Sequence, residues 1–87
     1  MIRVIELVVR RAMKGREQEL RLYVPTRRRL TGRYEEELCE KFQTLVEEHP
    51  DLFRWQDIPV SNKYWDTPTW DYDIEEVNEL EIDNDKS

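Results

Sequence analysis

The chain reads as an α+β domain in which one amphipathic helix packs on a small antiparallel sheet, in the order β-β-α-β-β. Three observations predict this fold. A Val/Ile-rich run near the N-terminus carries apolar residues at both parities. Tyr34, Leu38, Phe42, Leu45 and Val46 repeat at helical spacing, and residues 70–83 alternate acids with aromatic or aliphatic side chains. A chain of 87 residues supports one hydrophobic core, so a single domain is expected over 1–83, with 84–87 fraying.

The first strand is I2-R-V-I-E-L-V-V-R-R-A-M13. Ile5, Leu7, Val9 and Met13 lie on one face and Ile2, Val4, Val8 and Ala12 on the other, the pattern of a central strand covered on both sides. K14-G-R-E-Q18 forms a polar break, and E19-L-R-L-Y-V24 returns with Leu20, Leu22 and Val24 on one face. Pro25 lacks a backbone donor and is expected to end that strand.

Thr31 is placed to cap the helix and Pro50 to stop it just past His49. Glu35, Glu36 and Glu37 favour the positive end of the dipole, and Glu37–Lys41 is a favourable i,i+4 pair. D51-L-F-R-W-Q-D-I-P-V60 then reads as a short irregular strand, kept to an edge by Pro59. Turns are expected at 61–63 and 66–69, with Tyr64 and Trp65 as anchors between them.

The closing strand carries the strongest functional signal. On a regular strand over 70–83, Trp70, Tyr72, Ile74, Leu80 and Ile82 share the face that looks like core. Asp71, Asp73, Glu75, Glu79, Glu81 and Asp83 share the other, with Val77 as its one apolar member. Neighbouring carboxylates on that face stand about 6.6–6.8 Å apart, a repulsive spacing that folding must tolerate. A solvated outer face would be polar for solubility alone, but such faces usually mix both signs, and no base occurs between Lys63 and Lys86. A one-sign row suits a basic protein groove and imitates a phosphate backbone electrostatically. Glu35, Glu36, Glu40, Glu47 and Glu48 on the helix extend the same field. Glu76 and Asn78 leave open whether a bulge splits the strand; a split would break the row.

The opposite sign is concentrated earlier. Residues 1–33 hold ten Arg or Lys against three Glu, and residues 34–87 hold four against seventeen Asp or Glu. Mutual neutralisation across the sheet is the plain explanation, yet a net charge of −6 remains. Arg27, Arg28, Arg29 and Arg33 precede the helix and offer phosphate contacts, with Arg10, Arg11, Lys14 and Arg16 as further contributors. Six of the nine aromatics fall between Phe53 and Tyr72. Most are needed as core, but Trp65 and Trp70, flanking the Pro68 turn, are expected to be partly exposed and to serve as contact anchors.

No catalytic constellation is evident. Cys39 and His49, single residues of their types, stand about 15 Å apart along one helix and cannot form a nucleophile–base pair. With two glycines there is no phosphate-cradling loop, and D-Y-D-I-E-E lacks the glycine and spaced terminal acid of a calcium loop. No enzyme activity, cofactor or metal is expected. One cysteine and an interrupted N-terminal apolar run point to a reduced, cytoplasmic protein without a membrane anchor.

The expectation is therefore a non-catalytic protein-binding module. Its acidic strand, with Trp65 and Trp70, docks on a basic, nucleic-acid-handling protein as a small phosphate-mimicking inhibitor, of a type found among phage and mobile-element proteins; that likeness is one of style. The alternatives are a nucleic-acid-binding module using Arg27, Arg28, Arg29 and Arg33, and a small structural subunit pairing through an open sheet edge.

Overall fold

The computed structural model describes residues 2–60 and 68–82. Strands β1 (Ile2–Met13) and β2 (Arg16–Thr26) form a hairpin closed by Lys14 and Gly15 alone. Gly15 adopts φ +75°, the left-handed region glycine enters without steric cost, while Lys14 before it keeps a negative φ. The turn is therefore tighter than the polar break at 14–18 suggests, because Arg16, Glu17 and Gln18 already pair with Met13, Ala12 and Arg11.

Helix α1 spans Gly32–Glu48, followed by a single 3₁₀ turn at Pro50–Leu52, strand β3 (Gln56–Asp57) and strand β4 (Asp71–Ile82). The sheet order is β3-β2-β1-β4, antiparallel throughout, so the α+β fold and the central position of β1 are as the sequence implies. Pro25 does not end β2. It pairs with Val4, and β3 covers β2 only at Gln18 and Glu19, so at Pro25 the strand is an edge. A missing N–H that faces outward from an edge removes no ladder bond.

The helix forms as its caps predict. Thr31 Oγ1 accepts from the Tyr34 N–H at 3.2 Å, and the His49 N–H closes the last turn on the Leu45 carbonyl at 2.9 Å. Glu37 lies 4.0 Å from Arg28 rather than against Lys41. Leu38 seals against Ile5 and Leu7, and Val46 against Val9 and Leu20, so the odd positions of β1 carry the helix-facing core. At about 1.5–3 kcal/mol per fully buried aliphatic side chain, this one layer supplies most of the apolar stabilisation.

The even positions of β1 face away from the helix. Val8 is fully buried there although no helix covers it; its cross-strand neighbours are Arg21 and Glu76. Long charged side chains lay their stems over apolar surface in this way. Arg10 meets Glu19 at 3.3 Å, while Arg21 lies 3.2 Å from Glu6 and 3.5 Å from Glu19. Glu6 also accepts from Asn78 and Tyr23, each at 3.0 Å. These contacts, the Asn78 bond first and the Tyr23 bond next, hold its carboxyl below the ordinary glutamate range.

Candidate interaction surface along the acidic edge strand

Strand β4 is an edge, and its alternation is interrupted. Val8 pairs with Glu76 and Val9 with Ile74, so Glu75 has no partner on β1 and forms a β-bulge. The inserted residue reverses the parity of everything after it. Before the bulge, Tyr72 and Ile74 pack into the helix-facing core; after it, Val77 does, with Ile5, Leu7 and Leu38.

The single acidic row predicted over 70–83 is therefore corrected. Asp71 and Asp73 lie on the helix-free face opposite Ala12 and Arg10, whereas Glu79 and Glu81 lie on the helix face opposite Ile5 and Arg3. Glu75, at the bulge, lines one cleft with Asp71 and Asp73. Leu80, assigned to the core by parity, is 41% exposed for the same reason. Asp83 and Trp65 lie outside the described residues.

Two of the acids have internal duties. Glu79 accepts the Leu30 N–H at 3.0 Å and so pins the β2–α1 connection to the sheet. Glu81 sits 3.8 Å from Arg3. By contrast, Asp71, Asp73 and Glu75 are exposed and make no ion pair among the described residues. Asp73 stands across from Arg10, but the Arg10 guanidinium is directed to Glu19 by bonds from Nε and Nη2, both 3.3 Å.

Helix α1 adds to this end of β4. Gln43 Nε2 donates to the Tyr72 carbonyl at 3.4 Å and to the Glu47 carboxylate at 3.1 Å. One donor serves both acceptors, so the Glu47 carboxylate lies beside the strand edge, with Glu40 on the same side of the helix. The result is an acidic rim along the first half of β4: Asp71, Asp73, Glu75, Glu76 and Glu47. Among the described residues no three acids, histidines or cysteines converge on a metal position.

Trp70 is half-buried, but its ring face is occupied from within. The Arg11 guanidinium stacks 4.1 Å from the Trp70 centroid and 4.3 Å from that of Trp55, with Arg16 at 5.2 Å from Trp70. Arg11 also donates to Gln18 Oε1 at 2.8 Å from Nε and 2.6 Å from Nη2. Counting Arg11 with a surface basic patch is thus corrected: it is a half-buried tie between β1, β2, β4 and the segment after the helix. The signal for it is its parity, since Arg11 falls on the same face as Ile5, Leu7 and Val9.

The remaining expected residues form a separate corner. Arg27, Arg28, Arg29 and Arg33 are all exposed on the connection into α1. Arg28 stacks on Tyr34 at 3.9 Å. Cys39 is half-buried, and burial, followed by the nearby Glu35, pushes its thiol up, away from reactivity. Among the described residues no helix is long and apolar enough to cross a membrane. Comparison with family models, curated proteins and solved structures gave no match.

Proposed function

We propose that this chain is a non-catalytic binding module whose acidic rim docks on the basic surface of a nucleic-acid-handling protein, in place of phosphates. The observation that carries this reading is the state of Asp71, Asp73 and Glu75. They sit on an edge strand, exposed, within reach of a well-placed arginine whose charge is directed elsewhere. A sequence selected only to balance charge would pair Asp73 with Arg10. The bulge supports the same reading, because it puts Asp71 and Asp73 on the opposite face from Glu79 and Glu81, which are left to internal contacts. The rim also works against edge-to-edge aggregation, and that benefit is compatible with docking.

The test is affinity capture followed by competition. The unaltered protein is compared with one variant carrying Asp71→Asn, Asp73→Asn and Glu75→Gln, and with a second carrying Glu79→Gln and Glu81→Gln. Under this reading, a basic protein retained by the unaltered chain is lost by the first variant and kept by the second, and an oligonucleotide displaces it. Retention by all three proteins alike would return the rim to a solvated edge.

A further inference from the structure

We propose a second binding surface, independent of the acidic rim: the corner formed by Arg27, Arg29 and Arg33 grips the phosphodiester backbone of nucleic acid. The stretch from Leu20 to Tyr34 contains five arginines and no acid. Of those at the corner, Arg28 is committed internally, to Tyr34 at 3.9 Å and Glu37 at 4.0 Å. Arg27, Arg29 and Arg33 are exposed and make no ion pair among the described residues. Glu79, at the Leu30 N–H, and Glu81, at Arg3, have partners of their own, and Glu37 lies at Arg28, while Glu35 and Glu36 follow Arg33 in the first turns of α1.

The corner is also held in place. The Arg28 N–H donates to Thr26 Oγ1 at 3.0 Å, the Leu30 N–H to Glu79 at 3.0 Å and the Tyr34 N–H to Thr31 Oγ1 at 3.2 Å. Tethers at 28 and 30 fix the backbone around Arg27 and Arg29, so binding an anion there orders little further chain. Like charges gathered before the positive end of a helix lower stability, which makes a purely structural reason for them weak.

The net charge of −6 does not cancel this corner. β2 reaches it at Thr26, opposite Arg3, whereas Asp71 pairs with Ala12 at the far end of β1. At about 3.3 Å per residue along β1, Asp71 lies roughly 30 Å from the corner and Glu76, opposite Val8, roughly 17 Å. The Debye length at 0.1 M salt is about 10 Å, so the rim's field is attenuated at the corner.

The experiment is fluorescence anisotropy with a labelled single-stranded oligonucleotide of mixed sequence, in low salt and over a salt series. The triple variant Arg27→Ala, Arg29→Ala, Arg33→Ala is expected to bind at least about ten-fold more weakly. Its log–log salt slope should be smaller by about 2, at roughly 0.7 for each phosphate of a single strand that is no longer neutralised. Arg54→Ala, an equally exposed arginine elsewhere, should bind as the unaltered protein does. Thermal unfolding of the triple variant is expected at or above that of the unaltered chain. Should the triple variant fail to fold, Arg29→Glu alone leaves all three tethers in place and reads the same weakening. No binding by the unaltered protein, equal binding by the triple variant, or an equal weakening in Arg54→Ala would each overturn the proposal. So would inorganic polyphosphate competing better per phosphate than the oligonucleotide. None of these readouts depends on the acidic rim, so this proposal and the docking reading fail separately.

Discussion

The Arg11 guanidinium lies 4.1 Å from the ring centroid of Trp70 and 4.3 Å from that of Trp55. Two indoles thus share one planar cation, and Gln18 holds its edge with two bonds of 2.8 and 2.6 Å. Each stacked contact contributes roughly 0.5–2 kcal/mol when partly desolvated, and a hydrogen bond to a charged group about 1.5–3 kcal/mol. Gln18 in turn donates to Asp57, so the cluster ties β3 to the hairpin.

Arg11→Ala should therefore cost about 2–4 kcal/mol in urea unfolding at constant m value, with a shift in Trp emission. Arg11→Lys should recover less than half of that loss, because an ammonium has no plane to stack and cannot grip Gln18 with two bonds. Full recovery by lysine would mean that charge alone, and not the stacked geometry, holds the cluster.

The bulge supports a sharper forecast. Ile74 pairs with Val9 and Glu76 with Val8, so removing Glu75 joins two stretches that are already in register. Deleting this one residue from the middle of a 12-residue strand should change stability by no more than about 1 kcal/mol. Deleting Asn78 instead moves one side of the strand through the sheet, turning Val77 out of the core or the residues after it onto the wrong face. That variant should unfold several kcal/mol more easily. Circular dichroism and thermal melts of the two deletions decide it, and equal damage in both would show that the bulge has its own structural role.

The fold is largely legible from periodicity, and the site is less so. The stripe Tyr34–Leu38–Phe42–Val46 and the two-sided β1 fix the layers, because burial of apolar faces depends on spacing alone. The rim depends on parity being kept over a dozen residues, and one inserted residue reverses it. E-E at 75–76 is the visible trace of that insertion, since two adjacent acids cannot both alternate with core. The role of Arg11 is only half legible: its parity puts it on the core face, but its partners Trp55 and Trp70 are distant along the chain, and cation stacking leaves no local pattern that would name them.

Among the described residues Gly15 alone sits at positive φ, +75°, with no heavy atom within 4 Å of where a Cβ would stand. The cost of Gly15→Ala is therefore purely conformational, about 1–2 kcal/mol, with no clash to add. Asn tolerates the left-handed region better, so Gly15→Asn should recover a good part of the loss in the same melts. A Gly15→Ala variant as stable as the parent would mean that the hairpin turn relaxes to another type.

Glu6 gives the pH dependence. Bonds from Asn78, Tyr23 and Arg21 favour its ionised form, so its folded-state pKa is lower than in the unfolded chain. A group depressed in this way contributes stability above its unfolded value, and that contribution is lost as pH falls through the lowered folded value. Tyr23 shifts upward because its hydroxyl donates to the same carboxylate, so its contribution is present below its unfolded value and lost as pH rises through the raised one. Glu6→Gln should accordingly flatten the decline in stability on acidification and reduce the decline in strong base. Tyr23→Phe should act chiefly on the basic limb. Melting temperature followed from acid to base in the three proteins checks both limbs; an unaltered acid limb in Glu6→Gln would place the sensitive carboxylate elsewhere.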